Sequence, residues 1–299
     1  MKQLRFGEIT IDRVVEMEQF WVDASWLYPG ISHDVVARHK SALGPKLVHP
    51  ETSQLCISFH SYLIRSKGKT ILVDTCNGNH KDRPRAAWQH MLKSREYLAN
   101  LAAAGLRPED IDLVLCTHLH TDHVGWNTQL VSGKWVPTFP NARYLFSRQE
   151  FDHFMALHTS QPALPVSQGS FADSVLPIVE SGLAELVDMD HFVDGDLSHG
   201  VWIEDASGHT PGHVSVHVKG GDSEAIMTGD VFHHPIVFNE PSLVNTGDWR
   251  PDLAMRTRQR LMARCADSPV TLLSMHFPAP TAGKLISSAA RVRFQFFDE

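Results

Sequence analysis

The sequence predicts a layered α/β protein, with β-sheets in the middle and helices outside. Three observations carry that prediction. Short apolar or alternating runs recur along the 299 residues. Helical stretches are interspersed among them. Side chains suited to metal ions stand just after several of the apolar runs, where loops converge on one pocket. The whole chain, 1–299, reads as one domain with an irregular N-terminal insertion at about 17–53.

The elements follow in order. Two alternating runs, Leu4–Ile9 and Ile11–Val15, predict a hairpin or bent strand. Residues 17–53 lack a clean period and carry Trp21, Trp26, Tyr28, Pro29, Pro45 and Pro50, so they read as an extended covering segment. Residues 55–65 and 70–74 predict strands joined by the turn SKGK. Residues 86–105 suit helices ending at Gly105. Ile111–Cys116 is an apolar run of buried-strand type, and 142–146 predicts another strand. Ser147 caps the helix that follows, with Glu150 three residues on completing a capping box. Residues 160–170 predict a loop, flanked by Met155, Leu157 and Phe171 as a pocket wall. Val201–Ala206, Val214–Val218, Glu224–Thr228, Val270–Met275 and Arg291–Phe296 predict strands, and 251–266 a helix with Pro251 near its start.

Composition narrows the class. Hydrophobic residues make up 42% and charged residues 20%, enough to bury a core. A net charge of −7 argues against nucleic acid or an anionic membrane surface as partner. The opening MKQLRFGEITIDRVVEM lacks the apolar run of a signal peptide, and no stretch approaches the roughly 18 apolar residues of a membrane span. The expected location is the cytoplasm. Cys56, Cys76, Cys116 and Cys265 are far apart and read as buried thiols.

The chemistry is carried by residues 114–126, VLCTHLHTDHVGW. An apolar strand ends and four potential ligands follow within six residues. His118 and His120 are two apart, so in extended backbone they point the same way. Asp122 and His123 then fall on a turn before Gly125. Such a segment can send His118 and His120 to one metal ion and Asp122 and His123 to a neighbour. Imidazole and carboxylate suit zinc and related first-row metals. DASGHTPGH at 205–213, IMTGD at 226–230 and VTLLSMH at 270–276 repeat the strand-end pattern and add His209, Asp230 and His276. Seven ligands are enough for two metals with open positions.

LVDTCNG at 72–78, THLHTDHVG at 117–125, SGHTPGH at 207–213, TGD at 228–230 and SMH at 274–276 resemble, in order and spacing, the motifs of the metallo-β-lactamase superfamily. The resemblance implies a four-layer αββα sandwich with the site at one edge of the sheets. It implies that His118, His120 and His209 hold one metal, that Asp122, His123 and His276 hold the other, and that Asp230 bridges both. His213 is then structural, and Asp74 buttresses the ligand loops or serves as a plain turn carboxylate.

GDVFHHPIVFNEP at 229–241 and SMHFPAPTAGK at 274–284 resemble the branch containing methyl parathion hydrolase and some N-acyl homoserine lactonases. Many of those lactonases carry a Tyr three residues after the bridging Asp. His233 stands there instead, and its N–H can orient a carbonyl in the same way; a structural role is the alternative. Phe20, Trp21, Trp26 and Tyr28 are expected to line the substrate pocket or a homodimer interface.

The implied function is hydrolysis of a small-molecule carboxylic ester or lactone by a hydroxide bridging two divalent metals, zinc being expected and manganese, iron or cobalt the alternatives. Asp122 accepts the water's proton and passes it to the leaving group. No GxSxG motif suggests a serine nucleophile. Organophosphate, phosphodiester or thioester hydrolysis at the same metals are the alternatives. The expected partner is a small substrate with an apolar part.

Overall fold

The computed structural model describes residues 1–288 and 291–298. The N-terminal half builds one sheet. Its strands are β1 (Leu4–Phe6), β2 (Ile9–Val22), β3 (Leu55–Ser66), β4 (Lys69–Val73) and β5 (Leu113–Leu115). A separate hairpin, β6 (Thr128–Val131) and β7 (Lys134–Pro137), intervenes before β8 (Arg143–Ser147) and β9 (Ala184–Val187) complete the sheet in the order β1-β2-β3-β4-β5-β8-β9. The second sheet runs β10 (Phe192–Gly195), β11 (His199–Asp205), β12 (Val214–Gly220), β13 (Ser223–Met227), β14 (Thr271–Leu273), β15 (Ala282–Ser288) and β16 (Arg291–Phe296), in chain order. The helices are α1 (Ala24–Leu27), α2 (His33–Leu43), α3 (Glu96–Ala103), α4 (Thr121–Val124), α5 (Arg148–Ser160), α6 (Leu176–Glu180) and α7 (Pro251–Cys265).

Alternation along the strands sorts the side chains into layers. Tyr62, Ile64, Ile71 and Val73 meet Val214, Val216, Val218 and Met227 in one buried cluster between the sheets. Leu63 and Leu72 point the other way, onto Tyr97 and Leu101 of α3, with Phe151 and Phe154 of α5 in the same cluster. On the far side Ile226 and Leu272 meet Leu261 and Cys265 of α7. Two sheets face to face with helices on both outer faces give the αββα sandwich that the motifs imply.

Three readings need correction. Residues 17–53 are not an irregular extended segment: 17–22 continue β2 against β3, and 24–27 and 33–43 form α1 and α2. Register shifts between Val15 and Met17 and between Met17 and Phe20 break the alternation that would have revealed the strand. Helix is confined to 96–103 of the 86–105 stretch. Before it the backbone pairs with the preceding turn instead: Met91 N–H donates to Lys81 O at 2.8 Å, and His80 N–H to Leu92 O at 2.9 Å. The capping box at α5 is only half made. Ser147 Oγ accepts from Glu150 N–H, but the Glu150 carboxylate turns inward. All four cysteines are free and buried.

Candidate metal centre

Four loops at the edge of the two sheets converge. The loop after β5 runs into α4 and supplies His118, His120, Asp122 and His123. The turn between β11 and β12 brings His209, the turn after β13 brings Asp230, and the segment after β14 brings His276. Ligand atoms of His118, His120, His209 and Asp230 all lie within 4.8 Å of one another, and so do those of Asp122, His123 and His276.

Asp230 joins the two groups. Its Oδ2 lies 3.5 Å from His118 Nε2 and 3.2 Å from His209 Nε2. Its Oδ1 lies 3.1 Å from His123 Nε2 and 3.0 Å from His276 Nε2. Asp122 Oδ2 stands 3.7 Å from His276 Nε2 and 3.8 Å from His123 Nε2. His233 also meets Asp230, with Nε2 2.9 Å from Oδ2, while its Nδ1 is buried without a partner.

The donor set fits divalent metal ions. Nε2 of His118, His123 and His276 and Oδ1 of Asp230 are buried with no hydrogen-bond partner, yet they converge, and leaving such groups unpaired costs about 1–3 kcal/mol each. The electrostatics agree. Burial works against charge on His209, but hydrogen bonds to Asp230 and Asp248 outweigh it and push it up to about 9. Burial likewise opposes the charged form of His123, and the Asp230, Asp74 and Asp122 carboxylates outweigh it. His120, buried and beside His209, is held down at about 3. The carboxylates make a well for positive charge, which favours the charged forms of His209 and His123 while His120 stays neutral.

The outer nitrogens are held by the chain. Asp74 Oδ2 lies 2.7 Å from His123 Nδ1, and the same carboxylate accepts from Thr117 N–H at 2.7 Å and Thr117 Oγ1 at 2.8 Å. Asp74 does this in a left-handed backbone conformation, φ 57°, a strain typical of functional loops. Asp248 Oδ1 lies 2.9 Å from His209 Nδ1, and Ser58 O 3.0 Å from His276 Nδ1. His213 holds no ligand position; its Nε2 accepts the Asp230 backbone N–H at 2.9 Å. Gly229 is needed there, because a Cβ would sit 2.4 Å from that Nε2.

A cavity of about 470 Å³ opens over the centre, lined by His120, Asp122, His209, Asp230, His233 and His276 on its floor. Its walls include Phe59, Trp26 and Trp88, the Phe59 and Trp88 rings stacking at 4.9 Å. Of the four aromatics expected at the pocket, Trp26 lines it. Phe20 lies behind the wall, 5.1 Å from the Trp88 ring. Trp21 packs on His49, and Tyr28 is fully buried in the core. Leu157, also expected at a pocket wall, instead lines an adjoining cavity of about 350 Å³.

Sequence reasoning missed Trp88, Asp248 and Glu150. Buried Glu150 accepts Leu119 N–H at 3.1 Å and Gly212 N–H at 2.8 Å, tying the two loops that carry His118, His120 and His209. Asp248, in GDW, and Trp88, in AAWQH, carried no local signal.

Comparison with known proteins agrees with the fold. A curated relative, the cytochrome P450 monooxygenase mpaDE' of Penicillium brevicompactum, is 27% identical over 168 residues, which is 49% of this chain and 18% of that protein. This chain therefore matches less than a fifth of that relative's length. The crystal structure of hydrolase AbOPH in the beta lactamase superfamily superposes with a TM-score of 0.78 at 21% identity, over 99% of this chain and 97% of that one. AidC, a dizinc quorum-quenching lactonase in complex with a product N-hexnoyl-L-homoserine, gives 0.75 at 20% identity, over 100% and 97%. Residues 60–262 match the family described as the metallo-beta-lactamase superfamily, and the chain belongs to that superfamily.

Proposed function

We propose that the chain hydrolyses a small-molecule carboxylic ester or lactone at a dinuclear centre, with His118, His120 and His209 at one ion, Asp122, His123 and His276 at the other, and Asp230 between them. The observation that carries this reading is the division of Asp230: each oxygen faces a different group of imidazoles. Two bound divalent ions, which we take to be zinc, supply Lewis acidity and a nucleophile at neutral pH.

The chain's own residues do the rest. Asp74, Asp248 and the Ser58 carbonyl fix the tautomers of His123, His209 and His276 so that each presents Nε2 inward. Asp122 is partly exposed, its side chain at 19%, and it lines the cavity. It is therefore placed to take a proton on the cavity side and return it to a leaving alkoxide. His233, on the cavity floor, contacts the bridging carboxylate and steadies it. The apolar walls exclude water and favour a substrate with an apolar part. Lactonases among the similar structures favour ester chemistry over phosphoryl transfer.

Among the described residues no helix is long and apolar enough to cross a membrane. The four free thiols suit the cytoplasm, where we place the protein, and we propose that it works as a homodimer without nucleic-acid or membrane partners.

The test is metal analysis of the purified protein with a hydrolysis screen over lactones, aryl esters, phosphotriesters and thioesters. Two ions per chain with fastest turnover of a lactone or aryl ester is expected. Fastest turnover of a phosphotriester or thioester would replace the proposed substrate class.

A further inference from the structure

Three side-chain amides of the cavity lining, Gln89, Gln168 and Asn245, have hydrogen-bonding capacity that nothing in the protein uses, and of these Gln89 and Asn245 are almost fully buried. Gln89 is 2% exposed and lines the cavity beside Trp88. Its Oε1 is buried with no partner. Asn245 is 5% exposed and lines the same cavity beside His209. Its Nδ2 is buried with no partner.

The orientation of Asn245 is not arbitrary. Its Oδ1 accepts Gly247 N–H at 2.7 Å, so the amide cannot turn over without facing one donor with another. The Asn245 backbone N–H donates to Asp248 Oδ2 at 3.0 Å, and the other oxygen of that carboxylate holds His209. Nδ2 is therefore a preorganised donor on a turn anchored to a ligand imidazole. Leaving either amide unpaired is unfavourable by about 1–3 kcal/mol, the kind of loss a binding site carries so that a ligand can recover it.

We propose that Gln89 and Asn245 are the specificity-determining contacts of this cavity, and that its substrate is an uncharged ester or lactone with a neutral hydrogen-bonding group, able to donate and accept, next to the scissile carbonyl. Neutral amides select neutral polar groups, whereas the one guanidinium in the lining, Arg85, is exposed. The proposal rests on the hydrolase reading above.

The test uses metal-loaded protein and esters matched in size: phenyl 2-hydroxypropanoate, phenyl 2-methylpropanoate and the phenyl half-ester of malonate. The expected wild-type preference, in kcat/KM, is at least about tenfold for the hydroxyl over the methyl ester, since a site built around hydrogen bonds rejects an analogue lacking them. Asn245→Asp keeps an acceptor for Gly247 N–H but removes the donor, and Gln89→Leu removes an unpartnered amide. Each is expected to shrink the preference to below about threefold. Gln89→Leu is also expected to leave Tm unchanged or raised, which a structural glutamine would not allow. Equal turnover of hydroxyl and methyl esters by wild type, equal losses on both in the variants, a lowered Tm for Gln89→Leu, or a preference for the malonate half-ester would each overturn the proposal. If wild type turns over none of them, calorimetry of the intact esters decides. Selective binding of the hydroxyl ester keeps the amide assignment and overturns the hydrolase reading; unselective binding overturns the assignment.

Discussion

The Asp248 carboxylate lies 2.9 Å from Nδ1 of His209, and both side chains are almost fully buried. The contact fixes which ring nitrogen faces Asp230. Such an outer contact tunes metal affinity without touching the metal. Asp248→Asn is expected to weaken metal binding by about 10- to 100-fold, read by competition with a chromophoric chelator. Affinity unchanged in the variant would remove Asp248 from the site.

Glu150 plays the corresponding part for the loops. Truncation in Glu150→Ala leaves the Leu119 and Gly212 N–H groups without their acceptor. A loss of about 3 kcal/mol in urea unfolding is expected, together with weaker metal retention. Loss of stability with metal affinity intact would make Glu150 a local prop only.

Close backbone approach sets a sharper limit at Gly125. A Cβ there would fall 1.8 Å from Asn77 O, in the turn that Glu16 clamps through Asn77 N–H at 2.9 Å and Gly78 N–H at 3.1 Å. Gly125→Ala is expected to cost at least about 3 kcal/mol, because the obstacle is backbone and cannot swing aside. A melting temperature matching wild type would show that the two turns separate freely.

Lys81 gives the pH dependence. It is fully buried, 2.6 Å from Thr128 Oγ1 and 3.6 Å from Asp173 Oδ1, and burial outweighs Asp173 to pull it down to about 7. The unfolded chain titrates this group near 10.5. Between those values the unfolded state binds more protons, so this lysine's share of stability is full at high pH and is lost as pH falls towards 7. Stability relative to Lys81→Met is expected to rise with pH in that window by at most about 1.4 kcal/mol per pH unit. Urea unfolding of both proteins at pH 7, 8, 9 and 10 reads it, and a flat difference would show that Lys81 stays charged when folded.

These positions also show what a single sequence discloses. His118, His120, Asp122, His123, His209, Asp230 and His276 were legible because each lies in a short strand-end motif, where ligand type and backbone form are both local. The layered α/β order was legible because short apolar strand runs such as β3, β12 and β13 are local, and the resemblance of the motifs to the superfamily supplied the sandwich. Residues 17–22 were hidden by bulges, since one extra residue inverts the apparent period. Glu150 reads locally as a helix-cap partner, and its bonds to residues 31 positions before and 62 after exist only in the folded chain. Asp248 and Trp88 were illegible because a carboxylate after Gly or a Trp in a polar stretch has no period or spacing to betray it. The pocket aromatics were half legible: Trp26 reaches the cavity, but Phe20 and Tyr28 lie behind the surface that sequence alone cannot draw.

The central claim is a pair of metal ions held together by Asp230. Elemental analysis of wild type and Asp230→Ala, each dialysed against the same zinc buffer, tests it most directly. The account predicts two ions per wild-type chain and loss of at least one in the variant. Two ions retained in Asp230→Ala, or fewer than two in wild type, would contradict it.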